Sequence, residues 1–239
     1  PLWSRGLGDV YKRQLVPWGW LLYRRRQQQG QSVPSFLCIS PLSAGITLRC
    51  GLFGGIGYSV FAYAGFIYAP AAHGSVLLPG MLPMWTALLS VLVLGERLVP
   101  LRMLALALIL GGGLMVGGTS LLGALNGGVV WRGDACFLAA SFCWAVYTVM
   151  LRRDKLDPVQ ATIGITFFAL LVYVPIYAVL AATGAIDSRI STAPWLEILF
   201  QALWQGMGST VISGITFATM VRVFGPLRST MITAWVPGL

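Results

Sequence analysis

Long runs without a charged residue dominate this chain. No Asp, Glu, Lys or Arg occurs from Cys50 to Gly95, from Met103 to Trp131, from Ala135 to Leu151, from Pro158 to Ile186, or from Ile198 to Val221. The runs are continuously apolar rather than alternating, which points to helices and away from a membrane β-barrel. A bilayer core about 30 Å thick is crossed by roughly 20 helical residues. The first run holds two spans and each of the others about one. The pattern predicts spans near 47–69, 73–95, 100–120, 133–151, 159–182 and 195–221, with a further span beginning near Leu227. Leu15 to Tyr23 reads as the closing turns of an earlier span. Arg24-Arg25-Arg26 and a Gln/Ser/Pro-rich loop to about Gly45 come after it. The fold class expected is all-α, a polytopic membrane helix bundle.

Composition agrees. Of 239 residues, 57% are hydrophobic and 10% charged, too few charges to cover a soluble domain of this length. The net charge of +9 would suggest nucleic acid in a soluble protein. Here its placement explains it. Eleven Lys and Arg (Arg24, Arg25, Arg26, Arg49, Arg97, Arg102, Arg152, Arg153, Lys155, Arg222 and Arg228) fall in alternate loops, and the opposite loops carry only Arg132 and Arg189. The positive-inside rule then puts loops 24–46, 96–102, 152–158 and 222–228 in the cytoplasm. Trp131 and Trp195 fall near the opposite interface, where amphipathic rings are favoured. Cys38, Cys50, Cys136 and Cys143 form no CxxC pair and His73 is the sole histidine, so neither a metal nor a cofactor is expected.

The first 14 residues (PLWSRGLGDVYKRQ) differ in character from the rest of the chain and read as a non-native, adapter-like leader. The expectation is that native sequence begins near Leu15 and that both native termini are missing.

The chain also repeats itself weakly. A shift of 154 residues places Ser59 on Ser213, Ser75 on Ser229 and Pro83 on Pro237, with Gly51 and Gly55 falling on Gln205 and Ser209. The connection YAPAAHG carries no Arg, whereas its mate VRVFGPLRS carries two. The same connection therefore lies outside in one copy and inside in the other. Such inverted repeats are a mark of secondary transporters.

One stretch carries a resemblance. Ala71 to Leu98 (AAHGSVLLPGMLPMWTALLSVLVLGERL) has small residues at the entry to a span, prolines within it and Gly95-Glu96-Arg97 at its close. It resembles the EamA-type transporters of the drug/metabolite transporter (DMT) superfamily. The Gly-rich run Gly111 to Gly118, Trp144 and Arg152-Arg153 are similar too. The resemblance implies an inverted repeat of two five-span domains, ten spans at full length with both termini cytoplasmic. On that numbering 15–123 is the first repeat in part (spans 2–5) and 124–239 the second in part (spans 6–9). It further implies a bacterial inner-membrane carrier.

Polar residues share helix faces at i, i+4 spacing. The rows are Gln201, Gln205, Ser209, Ser213; Ser75, Pro79, Pro83, running on to Thr86 and Ser90; Ser229, Thr233, Pro237; and Thr162, Thr166, Tyr173, Tyr177. Such faces turn from lipid toward a bundle interior or a cavity; helix packing uses the same residue types. Pro79 and Pro83 each remove a backbone donor, which frees carbonyls near Ser75 and Pro79. Trp144 and Tyr147, with Tyr58 and Tyr63, offer an aromatic wall; core packing is the competing reading. The candidate substrate-binding set is Tyr58, Ser75, Pro79, Pro83, Trp144, Tyr147, Gln205, Ser209, Ser213 and Thr233. His73 is read as a loop residue, Asp134 as a helix cap, and Glu96 as the partner of Arg97. Gly51xxxGly55 and Gly113xxxGly117 permit close helix approach.

The function expected is a carrier of small organic solutes, metabolites or drugs, working by alternating access and driven as a secondary active transporter. The expected partners are the lipid bilayer and a small-molecule substrate, with a homodimer allowed and no nucleic acid. A membrane-embedded enzyme and a seven-span sensor or receptor are the alternatives. The first needs a polar catalytic constellation inside the membrane. A retinal receptor needs a lysine within a span, and Lys12 and Lys155 both fall outside.

Overall fold

The computed structural model describes residues 40–97, 99–124, 127–184 and 194–234. Seven helices carry the regular structure of that described part: α1 (Ala44–Tyr68), α2 (Ala71–Leu94), α3 (Pro100–Ala124), α4 (Val130–Arg153), α5 (Pro158–Ala182), α6 (Trp195–Phe224) and α7 (Pro226–Thr233). The first six are long and apolar enough to cross a membrane. The fold is a polytopic helical bundle, as the uncharged runs require. The span remnant 15–23, the leader 1–14, Cys38, Arg189 and Pro237 lie outside the described residues.

Helix ends follow local chemistry. Asp157 caps α5, its Oδ1 accepting from the amides of Val159 at 3.1 Å and Gln160 at 3.2 Å, and Pro158 takes the first helical position, where no amide is needed. Gly95 closes α2 with φ +68°, a left-handed conformation that only glycine adopts without cost. The glycine of Gly95-Glu96-Arg97 is thus a helix stop. Three spans contain π-helical stretches: Leu52–Gly57 in α1, Ser90–Leu94 in α2 and Ala202–Ile212 in α6.

The chain divides into two compact units, Pro1–Gly55 with Asp157–Thr219 and Ile56–Leu156 with Met220–Leu239. In the first, α5 lies on the opening turns of α1. The ring of Phe168 occupies the place a Cβ on Gly51 would take, and Ile165 lies 3.2 Å from the Cβ position of Gly55, so this glycine pair is a packing groove. Ser40 and Thr47, both buried, share a hydrogen bond of 2.8 Å beside it.

In the second unit the core is Ala69, Leu77, Met81 and Phe137, with Leu78, Met84, Trp85, Val116, Val130 and Leu138 against it. It joins α2 to α4, the most buried span. Phe137 fits where Gly65 of α1 has no side chain, and Gly133 of α4 meets the end of α1 backbone to backbone. Gly113 of α3 faces Met81, while a Cβ on Gly117 would meet nothing within 4 Å. Leu101, Leu104, Leu108 and Met115 of α3 are exposed, a face suited to acyl chains.

Candidate functional site

Three aromatic rings of the second unit form a chain. The ring of Tyr58 lies 5.0 Å from that of Trp144, and Trp144 lies 5.3 Å from Tyr147, both pairs tilted rather than stacked. Tilted pairs suit the ring quadrupole. Tyr147 is buried, while Tyr58 and Trp144 are half-buried. The structure therefore brings together three of the residues named from sequence, at a wall with one sealed end.

Helix α2 contributes the prolines. Pro83 is fully buried and Pro79 half-buried. Ser75 is exposed, and its hydroxyl donates to the carbonyl of Ala72 at 2.7 Å, within its own helix. From another helix, Ser141 of α4 donates to the α2 carbonyl of Leu78 at 3.0 Å. Lower on α2 the polar row becomes buried. Thr86 and Ser90 are each 0% exposed, and their hydroxyls have no hydrogen-bond partner among the described residues; the indole Nε1 of Trp85 is likewise buried and unpartnered among them. Three unpaired polar groups on one span are costly in an apolar setting. The sequence pattern reached Thr86 and Ser90 as an extension of the row but not Trp85, whose ring meets Phe142 edge-on at 5.4 Å.

The remaining named residues lie on other elements. Thr233 of α7 donates to its own helix, to Thr230 at 2.7 Å. Gln205, Ser209 and Ser213 belong to the first unit. Gln205 is exposed in the π-helical part of α6, and its carbonyl accepts from Thr210 at 2.9 Å. Ser209 falls in the same π-helical stretch and Ser213, exposed, just beyond it. Tyr173 and Tyr177 stack on α5 with centroids 6.0 Å apart.

Three secondary readings are corrected. Asp134 does not cap α4: the helix begins at Val130, Val129 is its N-cap, and Asp134 lies past the first turn. The predicted start near 133 was too late because Arg132 was read as loop, whereas it sits in the helix with its guanidinium 5.8 Å from the Trp131 ring. His73 is not a free loop histidine. It lies in the first turn of α2, and its Nδ1 is 2.8 Å from Oδ1 of Asp134, which is 5% exposed. A carboxylate–imidazole pair thus ties α2 to α4, with the second carboxylate oxygen buried and without a partner among the described residues. Glu96 forms no ion pair with Arg97 among the described residues.

No curated protein and no solved structure matches the chain. Residues 15–118 match the model of the EamA-like transporter family, a stretch that ends inside α3 and contains all of α1 and α2. The match covers both prolines of α2, its unpaired hydroxyls and the Gly95 stop. Over residues 15–118 this multi-pass membrane chain is similar to the EamA-like transporter family, whose members are membrane transporters.

Proposed function

We propose that the protein carries small organic solutes across a membrane by alternating access of two inverted halves, as a secondary active transporter. The observation that carries this reading is the set of buried, unpartnered polar groups on α2: Trp85 Nε1, Thr86 Oγ1 and Ser90 Oγ. Leaving donors unpaired among helices costs free energy unless a guest with polar atoms completes them. Two nearby prolines deprive the same helix of two backbone donors, which leaves carbonyls at Ser75 and Pro79 able to accept from a guest. The tilted wall of Tyr58, Trp144 and Tyr147 supplies apolar contact for the carbon skeleton of a solute. Gln205, Ser209 and Ser213 are proposed as the second half's contribution. The Arg-rich loops are proposed to face the cytoplasm of a bacterial cell, and the protein is proposed to work in its inner membrane, as a monomer or homodimer.

Substitution tests this directly in the full-length protein. Thr86→Val and Ser90→Ala remove the hydroxyls with little change of volume. They are expected to leave membrane insertion and stability intact while lowering transport. Trp144→Ala and Gln205→Ala are expected to lower transport with insertion intact. Normal uptake and efflux in all four variants, across a panel of metabolites and drugs, would remove these residues from the solute path.

A further inference from the structure

A second polar feature lies at the close of α2 and the start of α3. Three sequence-distant segments of the second unit converge on a cleft of about 300 Å³: the turn after α2 with the start of α3 (Glu96, Arg97, Arg102), the end of α4 (Arg152), and the junction of α6 and α7 (Phe224 to Arg228). Four guanidinium groups and one carboxylate line it, an excess of three positive charges. Among the described residues Glu96 forms no ion pair with any of the four, so the cleft is not internally neutralised. Arg152 is the arginine held by the fold, donating from Nη1 to the carbonyl of Arg222 at 3.0 Å.

The backbone adds to this charge. Gly225 has φ +85° and turns the chain sharply into α7, where Pro226 is the first helical residue. No side chain caps this helix among the described residues, and Leu227 and Arg228 of its first turn line the cleft. Unfilled helix N-termini favour anions through both the amides and the helix dipole. The planar guanidinium fork is matched to phosphate oxygens, which it can grip in pairs. Chloride would satisfy the charge but has no pair of oxygens for a guanidinium fork to grip.

We propose that this cleft is a binding site for a phosphate-bearing anion, either the headgroup of an anionic phospholipid or a soluble phosphate. The site is independent of the transport reading, since no residue of the cleft belongs to the proposed solute path. Its position among the Arg-rich loops at the ends of spans places a lipid headgroup within reach.

The test is a binding measurement on the purified chain in a neutral detergent. Thermal unfolding is followed with short-chain phosphatidylglycerol, short-chain phosphatidylcholine, inorganic phosphate, and chloride at matched ionic strength. A concentration-dependent rise in unfolding temperature with phosphatidylglycerol alone supports the site with a lipid as its source. A rise with inorganic phosphate as well supports it with the phosphate group itself as the determinant. Arg102→Gln and Arg228→Gln, side chains with no hydrogen bond of their own to lose among the described residues, are each expected to weaken binding about tenfold, as fits the loss of a charge-assisted hydrogen bond. The same rise with chloride or phosphatidylcholine, no rise with any phosphate probe, or undiminished binding in the Arg102→Gln/Arg228→Gln double variant would overturn the proposal.

Discussion

Gly133→Ala is the sharpest test of how α1 and α4 meet. A Cβ at Gly133 would lie 2.7 Å from the backbone nitrogen of Ala69 and 2.8 Å from the carbonyl oxygen of Gly65, and closer still to the Ala69 Cβ. Ordinary contacts between such atoms lie near ~3.5 Å. None of these neighbours is the tip of a flexible side chain. They form the cap of α1 itself, where the Ala69 amide donates to the Gly65 carbonyl at 2.9 Å. The two helices must therefore part, which loosens Phe137 from its seat on Gly65 and from the ring of Phe66, 4.9 Å away. Overpacking of this kind costs about 1–3 kcal/mol. Against it stands the gain of about 1 kcal/mol for replacing glycine by alanine inside a helix. A net loss of up to about 2 kcal/mol is expected from these two principles. Gly112→Ala on α3 is the matched control, because a Cβ there meets nothing within 4 Å; it should be neutral or stabilising by up to about 1 kcal/mol. The assay is reversible unfolding in mixed micelles of rising dodecyl sulfate fraction, followed by tryptophan fluorescence. Equal midpoints for the two alanine variants would show that α1 and α4 do not cross as closely as described.

The paired ends of α2 and α4 give a second expectation: Asp134→Ala, which leaves the His73 ring without its partner, should cost about 1–3 kcal/mol in the same unfolding assay. Asp134→Asn keeps an acceptor for Nδ1 and should lose less than half as much. Equal losses would mean that the 2.8 Å contact contributes nothing. Asp157→Ala removes the cap of α5 and should cost about 1 kcal/mol, with faster amide exchange confined to Val159 and Gln160; unchanged exchange at both would refute the cap.

The spans were legible because the bilayer imposes one length on every helix and forbids charge along it. That constraint acts on each segment alone, so it can be read from a single chain: α1 to α6 fall within a few residues of the predicted spans. The Gly95 stop was legible for the same reason, since a left-handed residue is a local demand. Pairings between segments were not. His73 and Asp134 are 61 residues apart and meet only because α2 and α4 pack in one particular register. Neither residue carries a local sign of it; an Asp near a helix start looks like a cap whether or not it is one. Ser75 erred the other way. Its place on a polar face suggested a lining role, but a serine in a helix can bond its own backbone three residues back, and here it does.

That difference separates two kinds of polar residue on α2. Ser75 is exposed and satisfied by its own turn, so the fold gives it no need of a guest. Thr86 and Ser90 are sealed from solvent, sit where the same back-bonding to the helix was available, and do not use it. The stretch from Ser90 to Leu94 is π-helical, with a wider turn that leaves backbone and hydroxyl groups less well matched than in an α-helix. Pro79 and Pro83 have already removed two donors above it. The least self-sufficient hydrogen bonding of the second unit is therefore gathered on α2, and α2 packs against α4, the most buried span of the bundle. On the proposed reading, this division sets one helix held by burial beside another whose polar groups a passing solute would complete.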